Sequence, residues 1–146
     1  MSLLLLSGLL LGCGAPAGSW TGLIDCGDGD SSGEISVVMD LRKEEPTVYA
    51  GPAEVDFEGV FRIQGADRAY REELDFDRLE LRLTAESGAQ EASLSGEAVS
   101  CATWVDGEPA DEGCDGGDAL DWAVSWDGAD LLEFDEGDCA GSLQRG

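Results

Sequence analysis

The chain has 146 residues, with 32 Asp and Glu, 8 Lys and Arg and no His, which gives a formal net charge of −24 at pH 7. Its length suits one domain with its own core, and its 42% hydrophobic fraction is too high for a wholly disordered acidic tail. The lack of His excludes Ser-His and Cys-His catalytic pairs and His-ligated metals, while the negative charge opposes binding to nucleic acid or to anionic lipid headgroups.

The chain begins with a short apolar run from Leu3 to Leu11. A helix needs about 20 apolar residues to cross a bilayer. This run is too short to be a membrane span and is typical of the hydrophobic part of a secretory signal. The run ends in Leu10-Leu11-Gly12-Cys13, which resembles the lipobox of bacterial lipoproteins.

This resemblance implies a signal peptide over residues 1–12 and a lipidated tether that starts at Cys13, which the small residues up to Ser19 extend to 13–19. We assign the rest, 20–146, to a single β domain on the strand pattern described below. In that family the Cys13 thiol receives a diacylglyceryl group, the chain is cut before it, and the new amino terminus is acylated. Several acyl chains anchor a protein stably, whereas one alone binds reversibly. We therefore expect a location in the cell envelope outside the cytoplasm, held to a membrane at Cys13. Gly14 implies the outer membrane where the host has one.

After the tether, apolar and polar residues alternate with the period of β-strands. The clearest segments are Trp20–Cys26, Ile35–Leu41, Val55–Ile63, Leu79–Ala85 and Leu120–Trp126, with shorter ones near 47–50, 92–104, 131–135 and 139–143. Turn-forming residues separate them, at 27–30, 51–52, 87–88, 106–107 and 127–128. This pattern predicts an all-β domain, an antiparallel meander of about eight strands in a small closed barrel or a sandwich. The best helix candidate is Ala66–Leu74.

The first strand carries a further resemblance, because Gly18-Ser19-Trp20 is similar to the G-x-W motif of lipocalins. Arg145 lies near the end of the chain, as the closing Arg of lipocalins does. The resemblance implies a barrel that carries a small apolar ligand. Packing in the core or at a barrel end is the simpler role for Trp20, Trp122 and Trp126.

The first turn contains a candidate calcium site at Asp28, Asp30 and Ser32. Alternate oxygen side chains with an intervening Gly resemble the first half of a calcium loop. The EF-hand spacing then requires Glu where this chain has Met39. The same residue types also form ordinary hairpin turns, and we favour the turn over the ion.

Four cysteines remain after Cys13, and they allow three pairings. Disulfides persist in exported proteins, while the lack of His and of any C-x-x-C excludes the common zinc sites. We predict one disulfide between Cys26 and Cys139, which joins an early strand to the last one. The second, between Cys101 and Cys114, then clamps the acidic stretch that follows Asp106.

Charge is distributed unevenly, because residues 83–144 contain 16 Asp and Glu and no Lys or Arg. The densest part, residues 106–121, is rich in Gly and predicts an exposed loop. Its carboxylates at Asp111, Asp115, Asp118 and Asp121 either bind a divalent cation weakly or are simply solvated. Solvation is the interpretation we favour.

These observations predict a non-enzymatic, lipid-anchored envelope protein whose acidic face contacts a partner with a basic surface or holds cations. The alternative is a lipocalin-like carrier of a small apolar ligand, and the two differ in whether large side chains fill the barrel. An acidic mimic of DNA fits the charge but requires a cytosolic chain. Among 32 carboxylates none stands out as a glycosidase pair, and no nucleophile elbow or P-loop is present.

Overall fold

The computed structural model describes residues 15–114 and 118–146, except for the side chains of Asp111 and Glu112. Cys13 and the lipobox, together with Asp115, lie outside these ranges. The described strands are β1 Gly18–Gly27, β2 Ser31–Glu45, β3 Val48–Ile63, β4 Ala66–Leu83, β5 Gln90–Glu97, β6 Ser100–Val105, β7 Glu108–Glu112, β8 Ala119–Trp126, β9 Leu131–Glu136 and β10 Cys139–Arg145. No helix in these ranges is long and apolar enough to cross a membrane.

Eight of these strands close into an antiparallel barrel. Their order is β3-β2-β1-β10-β9-β8-β5-β4, and β4 pairs back to β3. Most neighbours in the barrel are also neighbours in sequence, as in an up-and-down meander. The predicted all-β meander of about eight strands is confirmed, and the barrel rather than the sandwich is its form.

The other two strands, β6 and β7, form a hairpin on the outside of the barrel. Residues 70–75 of β4 pair with β6, whereas residues 80–83 pair with β5. β3 lies along the other side of β4 for almost its whole length. The β3–β4 hairpin therefore extends beyond the barrel and, with β6 and β7, forms a sheet at one end, which we call the extension sheet.

Three details of the sequence-based prediction are wrong. Ala66–Leu74 is not a helix but the first half of β4, because β3 and β6 pair with it on both sides. Gly51-Pro52 does not end a strand, because β3 continues through a register shift there. The run at 92–104 is two strands, β5 and β6, rather than one.

The barrel interior is filled by large apolar side chains. Twenty buried residues form one contiguous cluster. The largest fully buried side chains include Trp20, Trp126, Tyr49 and Met39, and no polar or charged residue falls in the buried class over the described ranges. Removal of this apolar surface from water is the main force that holds the fold, at about 25 cal/mol per Å².

Two disulfides join the chain as predicted. Cys26 and Cys139 face each other across β1 and β10, and their bond closes a loop with a sequence separation of 113. Cys101 bonds to Cys114, 13 residues further along, and fixes the end of the β6–β7 hairpin. Because disulfides persist in oxidising compartments, the two bonds indicate an extracytoplasmic location.

Candidate functional site

The predicted calcium residues lie on the surface around the turn between β1 and β2. Asp28 Oδ1 accepts hydrogen bonds from the backbone N–H groups of Asp30 and Ser31, both at 2.8 Å, and from the Ser31 hydroxyl at 3.1 Å. These donors favour the carboxylate and lower the pKa of Asp28. Ser32, an exposed residue of β2, contributes no bond to this turn. Calcium binding by Asp28, Asp30 and Ser32 stays a prediction.

Ser31, rather than Ser32, is the hydroxyl residue that contacts Asp28, and sequence reasoning missed it. The alternation of a calcium loop favours Ser32. The turn instead uses the residue three positions after Asp28, which is the usual spacing for a side chain that holds a turn.

The acidic stretch at residues 106–121 is only partly a loop, which corrects the prediction. It contains β7, Glu108–Glu112, and it ends inside β8. Asp118 is half-buried and Asp121 is exposed, whereas Asp115 and the side chain of Asp111 lie outside the description. Weak binding of a divalent cation by these four carboxylates stays a prediction.

One group of potential metal ligands does come together in the described ranges, at Cys101, Cys114 and Asp118. Their ligand atoms lie within 4.8 Å of one another. However, the two sulfur atoms are bonded to each other. Metals bind thiolates, so this group has no soft ligand to offer while the disulfide is intact.

Trp20 and Arg145, the two residues that resemble the lipocalin motif, meet at one end of the barrel. They face each other in the register of β1 and β10, with the guanidinium carbon 5.7 Å from the centroid of the indole. The Trp20 indole is buried, and its Nε1 donates a hydrogen bond to the Pro16 carbonyl at 2.8 Å. We call this the closed end of the barrel.

Arg145 also fixes the chain that enters the barrel. Its guanidinium donates hydrogen bonds to the carbonyl oxygens of Ala15 and Ala17 and forms an ion pair with Asp130 at 2.6 Å. The Arg145 side chain is only 18% exposed. Residues 15–17 of the predicted tether are therefore held against the closed end, away from the extension sheet.

A groove of about 430 Å³ lies on the outer face of the extension sheet. Its lining includes Glu58, Val60, Ala69, Arg71, Trp104 and Gly107. The Arg71 guanidinium lies 4.0 Å above the Trp104 ring and 3.4 Å from a carboxylate oxygen of Glu73. Sequence reasoning missed this pair, because only the pairing of β4 with β6 brings the two residues together.

Most of the positively charged side chains form ion pairs with carboxylates. Six arginines form ion pairs: Arg62 with Asp67, Arg68 with Asp106, Arg71 with Glu73, Arg78 with Glu44 and Glu80, Arg82 with Glu80, and Arg145 with Asp130. Such surface pairs contribute at most about 1 kcal/mol each. Crowding of the remaining carboxylates is visible at Asp56, whose pKa is raised by burial and by Glu73 and Glu54. The exterior is therefore strongly acidic.

The fold and this surface define the class of the protein as an eight-stranded antiparallel barrel with an added hairpin, a filled interior and an acidic exterior. No family model, curated protein or solved structure matches the chain.

Proposed function

We propose that this chain is a lipid-anchored, non-enzymatic interaction protein of the cell envelope, whose acidic exterior contacts a partner with a basic surface. The observation that carries the proposal is the separation of side chains between inside and outside. Trp20, Trp126 and Tyr49 fill the barrel, while the buried class of the described residues contains no carboxylate. A filled barrel has its recognition chemistry on the exterior, and this exterior is acidic.

The position of the chain terminus supports an anchored orientation. Ala15 is bonded to Arg145 at the closed end of the barrel, and it follows Cys13 by two residues. Two residues span at most about 7 Å. Acyl chains on Cys13 would therefore hold the closed end next to the membrane and direct the extension sheet away from it.

The intact mass of the protein extracted from membranes, measured before and after reduction, tests the anchor. We expect a chain that starts at Cys13, carries the mass of its acyl groups and gains four hydrogens when its two disulfides are reduced. Cys13→Ser should abolish acylation and membrane association, because the attachment thiol is lost. Ser7→Ala, a control within the apolar run, should retain both.

Recovery of the full chain from the cytosol, with Met1 in place and all five thiols open to alkylation, would contradict the anchor and the location together.

A lipocalin-like carrier is the second candidate, and the observation that favours it is the contact of Arg145 with Trp20 at the closed end. Native mass spectrometry of the extracted protein distinguishes the two proposals. A carrier should retain a small apolar molecule, whereas an interaction protein with a filled interior should have the mass of its own chain and acyl groups alone.

A further inference from the structure

The barrel wall is incompletely paired between β8 and β9. Their pairing covers only Ser125 with Glu133 and Trp126 with Leu132. β8 nevertheless continues along β5 for its whole length, and β9 continues along β10. Residues 119–124 of β8 and 134–136 of β9 thus have a strand partner on one side only, among the residues that the structure describes. We call this stretch the seam.

The alternation of an antiparallel sheet identifies the backbone groups that face the seam. The Asp127 N–H donates a hydrogen bond to the Leu131 carbonyl at 3.0 Å, which shows that the backbone groups of residue 127 face β9. Because these groups alternate between the two sides of a strand, those of residues 125, 123 and 121 face the same way. The N–H and C=O groups of Ala123 and Asp121 therefore point towards the seam rather than towards β5. Both residues are exposed. An unpaired strand edge of this kind is a template for another strand.

The side chains at the seam are acidic outside and aromatic inside. Asp121, Glu133 and Asp135 are exposed, and no Lys or Arg occurs between residues 83 and 144. Beneath the seam, Trp122 and Phe134 lie with their ring centroids 5.0 Å apart. A strand that fits here has basic residues on one face and apolar residues on the other, because side chains alternate along a strand.

Among the strands that the structure describes, the outer side of β7 is also an unpaired edge, but it is poorly suited to pairing. Pro109, the second residue of β7, has no N–H to donate, and three of the other four residues of this strand are acidic. The seam contains no Pro. The free edge of β8 is therefore the better acceptor for an added strand.

We propose that the seam binds an extended peptide segment with alternating basic and apolar residues, which pairs through its backbone with Asp121 and Ala123 of β8. This inference rests on the proposed function, since it names how the basic partner binds. The basic side chains of the segment meet the outward carboxylates, and its apolar side chains contact the half-buried Trp122, whose ring covers the buried Phe134. A second copy of this chain is a poor occupant, because it brings carboxylates against carboxylates.

A fluorescent octapeptide of alternating Lys and Val is a direct probe, used with the full disulfide-bonded protein. Its anisotropy is compared with that of the same peptide N-methylated at every backbone amide, which keeps every charge and removes the backbone donors from both edges of the strand. We expect affinity to fall at least about tenfold on N-methylation. Backbone amide exchange at Ala123 should also slow when the unmodified peptide is bound.

Charge variants locate the site. The triple variant Asp121→Asn, Glu133→Gln and Asp135→Asn should bind the peptide about tenfold more weakly. A matched control, Glu34→Gln, Asp40→Asn and Glu54→Gln, removes the same charge from exposed positions on β2 and β3. We expect at most about a twofold loss for the control, because those carboxylates act only at long range.

The outcomes separate this inference from the proposed function. Equal binding of the N-methylated peptide, or equal losses in the two triple variants, would overturn strand addition and leave a diffuse acidic surface that still binds basic partners. If neither peptide binds even at low salt, the proposed contact with a basic partner is itself wrong.

Discussion

At the scale of single residues, Asp28 shows how a side chain can serve a turn in place of an ion. One of its carboxylate oxygens accepts three hydrogen bonds within four residues of chain. These bonds hold the turn that positions β1 against β2. The spacing that resembles a calcium loop is thus also the spacing that this turn requires.

Replacement of Asp28 should destabilise the fold in a pH-dependent way. Its pKa is lowered in the folded state, so its contribution is present above the usual Asp pKa and is lost as the pH falls through the lowered value. We expect Asp28→Ala to lower the urea midpoint at pH 7. The difference in midpoint between this variant and the parent should become smaller in acid. Asp28→Asn, which keeps one acceptor oxygen, should lie between Asp28→Ala and the parent at pH 7.

Unfolding in the presence of added calcium distinguishes an ion site from a hydrogen-bonded turn at Asp28. A midpoint that rises with added calcium in the parent chain, but not in Asp28→Ala, would indicate an ion site. The same midpoint with and without calcium would leave the hydrogen-bonded turn as the whole role of Asp28.

At the scale of strands, the alternation of apolar residues identifies most of the elements. It locates Trp20–Cys26 in β1 and predicts Leu120–Trp126 in β8 almost to the residue. It fails at Ala66–Leu74, which is rich in helix-forming residues, because contacts across strands override local preference there. The Tyr70 ring lies 5.7 Å from that of Phe57 and 5.8 Å from that of Phe61, and both partners are in β3.

Alternation also cannot say which strands become neighbours. It places Trp122 among the apolar residues of one strand, but it does not reveal that the pairing of β8 with β9 is limited to Ser125 and Trp126 of β8. For the same reason, the sequence does not reveal the contact of Arg71 with Trp104. That contact depends on the pairing of β4 with β6 in the extension sheet. The seam and the groove are products of strand order, which non-local pairing determines.

The register shift in β3 leads to a prediction at this scale. A Cβ added at Gly51 would lie 1.8 Å from the Asp40 carbonyl oxygen, so β2 and β3 approach too closely there for any side chain. Gly51→Ala should cost about 1–3 kcal/mol of unfolding free energy, because the strands must move apart. Gly29→Ala is a control with open space around its Cβ, and it should be nearly neutral. Equal urea midpoints for the two variants would contradict the close approach.

At the scale of the whole molecule, the closure of the barrel depends on the pairing of its first and last strands. β1 and β10 pair from Trp20–Arg145 at the closed end to Cys26–Cys139 at the other. The chain carries a net charge of −24, and this self-repulsion opposes a compact fold. A covalent bond at one end and a buried Trp with its Arg at the other hold the ring of strands closed against it.

The two disulfides should therefore differ in their effect on stability. In the chain-entropy description a crosslink stabilises more when it closes a longer loop, about 5 kcal/mol for a separation near 113 and about 3 kcal/mol for one near 13. We expect Cys26→Ala with Cys139→Ala to lower the thermal midpoint more than Cys101→Ala with Cys114→Ala. Differential scanning calorimetry at fixed ionic strength measures both.

The net charge of the molecule predicts a second difference between the two disulfide variants, in how their thermal midpoints respond to salt. Salt screens the repulsion between carboxylates, so added NaCl should recover more of the midpoint in the variant without the β1–β10 bond, whose barrel is free to open. The variant without Cys101–Cys114 keeps its ring of eight strands closed by that bond and should respond to salt like the parent. If the short-loop variant is the less stable of the two, the β6–β7 hairpin rather than the closure of β1 on β10 is what limits the stability of the fold.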